Sequence, residues 1–467
     1  MPSTLFDKLW AIHEVRQLAD KSSVLYVDRI FMHERTGSIA LTSLADNNRI
    51  VRNPAHVFCT MDHIIDTFPG RNDNTLMPGG TEFITTTRQA TQATGIRLFD
   101  LNDKDQGISH LVSAEQGISL PGFSVVCPDS HTCTLGALGV LAWGIGSSDC
   151  EQVLATETLR LTKPPQMRVI FEGELPQAVS AKDLILHLIS RFGSTGGKHS
   201  ALEFAGPVIE AMPMDARFTL CNMATEFSAF TALIAPDETT LNYVQGRPYA
   251  PAGTEWDNAV THWKDLYTDN GADFDVEYVI DCSQISPMIS WGTSPSQSIG
   301  VQELIPNTGS STLDSEDLQK AAHYMAVEPG ASLLGLPIQG AFIGSCTNGR
   351  LADLKAAAKV LQGRQVAAGV KAVCTPGSMA VKREAEAIGI DQIFKAAGFE
   401  WREPGCSLCF FAGGEGFSSG ERTVSTTNRN FEGRQGRGVR THITSPVMVA
   451  AAAVAGEIVD GRGYLTE

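Results

Sequence analysis

Short runs of β-branched and aromatic residues alternate along this chain with stretches whose apolar positions recur at helical spacing. That alternation predicts an α/β protein. Phe123 to Cys127 reads as a buried strand, followed by the polar turn DSHT at 129–132. Met167 to Phe171 reads as another strand. Ser180 to Phe192 reads as a helix. Ser180 and Asp183 form a capping-box pair, Leu184, Ile185, Leu188 and Phe192 share one face, and Gly193 follows as the stop. Further on, Ala341 to Ile343 predicts a strand, GSCTN a tight turn and Leu351 to Leu361 a helix with Asn348 near its start. Cys346 therefore falls between a strand end and a helix N-terminus, where open α/β sheets gather anionic ligands.

No internal repeat and no low-complexity tract interrupts this pattern. The stretch PNTGSSTLDSE at 306–316 is rich in turn residues and acids and reads as a linker. A softer boundary lies at Pro164 and Pro165. The expected domains are 1–165, 166–305 and 306–467. That agrees with roughly 150 residues per domain in a chain of 467.

Composition narrows the classes. Hydrophobic residues make up 43% and charged residues 19%, enough for a large core. A net charge of -16 argues against nucleic acid or an anionic membrane surface as partner. It also means that an acidic substrate needs a local cluster of Arg or Lys. Ten cysteines in so long a chain are not a secreted disulfide framework. The N-terminal MPSTLFDKLWAIHEV lacks the organisation of a signal peptide, and the apolar run Val447 to Gly456 is too short to cross a bilayer. A cytoplasmic protein with reduced thiols is expected; a removed organelle presequence is the alternative.

Three groups of residues carry chemistry. Cys346 in GSCTN is followed by the pair Cys406 and Cys409 in PGCSLC. Spaced cysteines hold zinc, a redox disulfide or an iron–sulfur cluster. Zinc would want a fourth ligand, and Cys374 lies in the apolar run VKAVC, where a core role fits better. Three thiolates suit a cluster that leaves one iron open as a Lewis acid. Asp62-His63, His110 and Asp129-Ser130-His131 lie in turn-rich segments, and a histidine oriented by a carboxylate is a general acid. Asp129, Ser130 and His131 are adjacent in sequence, unlike a hydrolase triad. Finally, Arg422, Arg429, Arg434, Arg437 and Arg440 sit among glycines, a local reversal of charge suited to carboxylates.

The chain resembles the aconitase superfamily, and within it the large subunits of isopropylmalate dehydratases. The segments that carry the resemblance are MDH at 61–63, GISH at 107–110, DSHT at 129–132, LCNMATE at 220–226, GSCTN at 344–348, PGCSLC at 404–409 and NRNFEGRQGRG at 428–438. The resemblance implies three-layer α/β/α domains around a central four-iron, four-sulfur cluster held by Cys346, Cys406 and Cys409. It implies three carboxylate–histidine pairs: Asp62 with His63, Asp129 with His110, and Glu226 with His131. It makes Ser130, Asn222, Asn348, Asn428, Arg429 and Arg434 the expected substrate-binding residues. Asn222 and Glu226, four apart, would share a helix face.

The family's proton-abstracting serine and a further arginine have no matching segment here. The resemblance therefore implies a separate small subunit that supplies both. The expected reaction is dehydration and rehydration of a dicarboxylate hydroxy acid, with 2-isopropylmalate the leading substrate. Three departures blur the side chain: Ile39 for a glutamine, Leu135 for a histidine, and Gly349 for serine or alanine. The stretch FSAFTA at 227–232 also departs. A paralogue acting on methyl-, dimethyl- or benzylmalate is the alternative. An RNA-binding apo form and a zinc-stabilised structural protein are the non-catalytic readings.

Overall fold

The structure is a computed structural model and describes residues 2–307 and 315–465. The central part of the expected linker, residues 308–314, lies outside the described residues.

Three parallel sheets organise the chain. The first has five strands, in the spatial order Arg97–Phe99, Val57–Thr60, Arg29–His33, Ser124–Cys127 and Leu141–Gly144. Its inner strands Val57–Thr60 and Ser124–Cys127 are buried at every position, as expected where helices cover both faces. The second has four parallel strands: Thr231–Leu233, Ala201–Ala205, Gln166–Glu172 and Val276–Asp281. The third orders Glu400–Trp401, Lys371–Cys374, Gly340–Ile343, Arg422–Ser425 and Arg440–Ile443, all parallel. A small antiparallel sheet of Glu14–Gln17, Ser22–Tyr26 and Thr158–Thr162 closes the first region.

The first and third sheets share one topological feature. In each, the earliest strand is central, with later strands on both sides. The chain thus reverses direction across the sheet beside that strand, and a crevice opens at the strands' carboxyl ends. In the first sheet, Glu34, Asp62-His63 and Asp129-His131 all follow the carboxyl ends of adjacent strands. In the third, Cys346 and Asn428-Arg429 follow adjacent strands, and Cys406 and Cys409 follow the edge strand Glu400–Trp401.

Local sequence signals explain the supporting helices. Ala181–Phe192 begins at the Ser180–Asp183 capping box and stops at Gly193, whose φ is +83°. Leu351–Leu361 forms the helix after GSCTN, with Arg350 as its N-cap. The apolar run near the C-terminus becomes the helix Pro446–Ala455, buried within the third region's core. No helix among the described residues is long and apolar enough to cross a membrane. One hydrophobic core runs continuously from the first sheet into the second and takes in Ile443 of the third, and a second core surrounds the rest of the third.

One helix differs from its sequence pattern. The α-helix Met214–Asn222 ends at Asn222, and Met223–Phe227 continues as a 3-10 helix. Asn222 and Glu226 therefore do not share an α-helical face. The tighter winding turns them to different partners in the same crevice.

Candidate active site

The sulfur side of the site is built on tight turns. Cys346 follows Ser345, whose φ is +83°, and Ser407, at φ +48°, lies between Cys406 and Cys409. Non-glycine residues rarely adopt these conformations, and they persist where surrounding structure enforces them. Here the Cys406 amide donates to the Asp62 carbonyl at 2.8 Å, and the Cys409 amide to the Cys406 carbonyl at 2.9 Å. All three cysteines are buried and none forms a disulfide. Cys346 accepts the side-chain amides of Asn222 at 3.2 Å and Asn428 at 3.4 Å. Arg434 reaches Cys409 Sγ at 3.5 Å, its guanidinium lying between the rings of Phe410 and Phe431 at 5.6 and 5.3 Å.

The opposite side is a line of alternating charges. His63 Nδ1 meets Asp62 at 2.5 Å, and its Nε2 meets Asp129 at 3.2 Å. Asp129 also takes His110 Nε2 at 2.9 Å and the His131 amide at 2.7 Å. His131 Nε2 meets Glu226 at 3.0 Å, and Glu226 accepts Arg429 Nε at 2.7 Å. Arg429 comes from the third region, so the line joins both sides of the crevice.

Burial alone would neutralise these groups; their neighbours decide the outcome. Burial disfavours charge on His63, yet Asp62, Cys406 and Asp129 hold it well above the usual histidine range. Burial likewise opposes the charge on Asp129, but hydrogen bonds from His110, His131 and His63 pull it well below the usual carboxylate range. Against the same burial, Glu226 raises His131, while His131 and Arg429 lower Glu226. The thiols behave oppositely. Burial, then Cys409, raise Cys346 well above its ordinary value, and burial pushes Cys406 up to about 12.

The chain matches the model of the aconitase family (aconitate hydratase) over residues 7–456. The chain belongs to the aconitase family. It is 49% identical over 461 residues to the protein named 3-isopropylmalate dehydratase large subunit 1 of Bradyrhizobium diazoefficiens, covering 98% of this chain and 96% of that one. Among solved structures, the holo-form of aconitase X from Thermococcus kodakaraensis aligns with a TM-score of 0.45 at 12% identity, over 90% of this chain and 86% of that one.

Aconitase-family membership makes the chain a hydro-lyase and implies a four-iron, four-sulfur cluster. The donor set fits one. Three buried thiols come together, of which Cys346 and Cys406 resist ionisation alone, and such sulfurs become stable thiolates when iron neutralises them. Asn222, Asn428 and Arg434 supply N–H donors to the sulfurs, as outer partners of a metal centre do. Cys374 stands apart, fully buried in the strand Lys371–Cys374.

Two of the residues singled out from sequence lie differently from the rest. Asn348 is buried, and its amide is taken by Thr219 at 3.3 Å and Asp353 at 2.9 Å. Ser130 is exposed, with its hydroxyl 3.4 Å from His131 Nδ1. Of the arginine cluster, Arg422 and Arg440 serve the fold. Arg422 bonds His442 and the Met325 carbonyl, and Arg440 the Tyr324 and Gly420 carbonyls.

The departures lie in different settings. Ile39 lines a surface groove of about 620 Å³ with Phe83 and Thr42. Leu135 is core. A Cβ at Gly349 would lie 2.8 Å from the Ser345 carbonyl and 3.2 Å from the Gly377 amide. In 227–232, Phe227 packs against Gly196 and Gly197, filling space that their missing side chains leave.

Three residues were missed by sequence reasoning. His33 stacks on His63 at 3.9 Å between centroids. Lys182 is fully buried and donates to the Thr426 and Thr427 carbonyls at 2.8 and 2.7 Å, just before Asn428; burial pushes it down to about 7. Glu34 accepts the amides that follow Met61. An ionisable residue inside an apolar helix pattern was the available signal for Lys182. No such signal marked the other two.

Proposed function

We propose that this chain is the large catalytic subunit of a 3-isopropylmalate dehydratase, isomerising 2-isopropylmalate to 3-isopropylmalate in leucine biosynthesis. The observation that carries the reading is the alternating line Asp62, His63, Asp129, His131, Glu226, Arg429 facing three convergent thiols. The 49% identity to a protein named as such a large subunit supports the substrate.

Cys346, Cys406 and Cys409 would hold the cluster, with one iron free of cysteine. When bound, it supplies a Lewis acid toward the hydroxyl and one carboxylate of the substrate. The chain's own residues do the rest. Asp62 holds Nδ1 of His63, so the Nε2 proton, which rests against Asp129 at 3.2 Å, is the one delivered to the departing hydroxyl. Asp129, fixed by His110 and His131, keeps that ring aligned from the other side. Arg429 and Arg434 take substrate carboxylates, with Asn428 beside them. Water returning to the adjacent carbon reverses the same proton transfers.

The proton on carbon is removed by a serine of a separate small subunit, which also brings an arginine. The name of the relative as a large subunit supports a second chain. Exposed Phe411 and Phe431, next to the Arg434 stack, offer it apolar surface. Ten cysteines without a disulfide support a reducing, cytoplasmic setting.

The test is anaerobic co-production with the small subunit, then an assay against 2-alkyl- and 2-arylmalates. The highest kcat/KM is expected on 2-isopropylmalate. Preference for another 2-substituted malate overturns the substrate, and full turnover by this chain alone overturns the second subunit.

A further inference from the structure

Glu34 opens the helix Glu34–Asp46, directly after the central strand Arg29–His33 of the first sheet. An acidic residue in a first helical turn ordinarily serves its own helix dipole. Glu34 faces another segment instead. It is fully buried, and its carboxylate accepts three successive amides: Asp62 at 3.0 Å, His63 at 2.8 Å and Ile64 at 2.5 Å. Its own carbonyl is tied down by the Ser38 hydroxyl at 2.8 Å and the Thr87 hydroxyl at 3.4 Å. Glu34 is thus fixed on its own side and grips the 62–64 turn on the other.

Successive amides converging on one anion define the backbone of a turn, because each restrains its own peptide plane. This turn carries the Asp62–His63 pair. Its other restraints come from elsewhere: the Ser109 amide donates to Asp62 Oδ2 at 2.9 Å, and the Cys406 amide to the Asp62 carbonyl at 2.8 Å. Among the described residues, only Glu34 engages the amides of both members of the pair. Small displacements of a proton donor cost large factors in rate.

We infer that Glu34 is a positioning residue: its carboxylate clamps the 62–64 amides and thereby aims the His63 ring at the departing hydroxyl. The aim at hydroxyl rests on the dehydratase reading; the clamp rests on geometry alone.

Both parts are tested on the full chain, cluster-loaded and with its small subunit. Hydrogen exchange followed by mass spectrometry compares Glu34→Gln with the parent. Gln keeps one acceptor oxygen but loses the charge and sets an N–H donor against the Asp62 amide that Oε2 accepts, so exchange at 62–64 is expected to accelerate at least tenfold. Iron per chain and exchange at 340–350 and 404–412 should stay unchanged. Unchanged exchange at 62–64 overturns the clamp. In kinetics, Glu34→Gln should lower kcat about 30-fold with KM within twofold, and less than twofold in a His63→Ala background. Independent, multiplying losses overturn the action through His63. Glu34→Asp keeps the charge but is one methylene short, and should fall between parent and Glu34→Gln in both readouts. Loss of iron and raised exchange throughout, in both variants, overturns the proposal by making Glu34 a fold determinant. A parent silent toward every alkylmalate overturns the dehydratase reading, while exchange at 62–64 still decides the clamp.

Discussion

Cys346 receives two neutral amides, from Asn222 and Asn428, whereas His63 sits between two carboxylates, Asp62 and Asp129. Around Cys346 and Cys409 the donors have no protonation state to lose, while Cys406 lies beside His63. Strained backbone at Ser345 and Ser407 aims its thiols. On the histidine side, every charge answers the next, and the order of signs keeps each proton in place. One side suits holding an inorganic centre. The other suits moving a proton. Arg429, bonded to Glu226, carries the histidine line across to the third region.

If the sides differ in this way, their variants should fail differently. The largest effect belongs to the thiols. Cys406→Ser, like Cys346→Ser or Cys409→Ser, should abolish iron and acid-labile sulfide and reduce turnover at least 1000-fold, on the order of what loss of a Lewis acid costs. Visible absorbance and metal analysis read this directly, and a variant that keeps both would break the comparison. His63→Ala should instead keep its iron and lose roughly 10²–10⁴ in kcat, the range for a positioned general acid. Iron loss there would mean the two sides are one unit. Arg429→Lys loses the planar guanidinium and its bond to Glu226. KM is expected to rise about 10- to 100-fold with a smaller change in kcat. A kcat effect alone would place Arg429 in the proton line and not at the substrate.

How much of this was legible in the chain follows from how local each interaction is. Asp62 and His63 are neighbours in sequence, and the capping pair Ser180 and Asp183 lies within one turn, so both could be read directly. The pairing of His131 with Glu226 spans 95 residues and became readable only through the resemblance. Glu34 was hidden because an acid at a helix start has an ordinary explanation, and its true partners lie 28 to 30 residues away. The switch to 3-10 winding after Asn222 was hidden too, since the four-residue spacing fits an α-helix equally well. Gly349 looked like a drift in substrate preference; the backbones of Ser345 and Gly377 show it to be a packing requirement.

Histidines sharpen the contrast with pH. Glu226 raises His131 against burial, while His442, in the third region, is held neutral. Burial, then Arg422, push His442 down to about 3. Its ring accepts Arg422 at 2.7 Å and donates to the Ser290 carbonyl at 2.6 Å, a pattern only the neutral form can make. In the unfolded chain a histidine titrates near 6.5. Below that pH the unfolded state binds a proton that the folded state refuses. Stability should therefore fall as pH drops from about 6.5 toward 3, by up to about 1.4 kcal/mol per pH unit from this residue. Urea denaturation of the parent and His442→Gln between pH 6.5 and 4.5 measures the difference in slope. Equal slopes would show that His442 is not held neutral by the fold.

The smallest expected effect probes the backbone behind the thiols. Gly349 lies between the carbonyl of Ser345 and the amide of Gly377, and both obstacles are main chain, so neither yields cheaply. Gly349→Ser inserts a Cβ at 2.8 Å from that carbonyl. Relief requires the 345–349 turn to move outward, and Cys346 moves with it. Overpacking of this kind costs about 1–3 kcal/mol. The expected result is a lower Tm and a cluster that bleaches a few-fold faster in air, with KM unchanged because the arginines are untouched. A shift in preference among alkylmalates without loss of stability would instead make Gly349 a determinant of the substrate side chain. Retention of both the parent's Tm and its bleaching rate would mean that the turn has slack. In that case the sulfur side would not be the rigid partner of the pair.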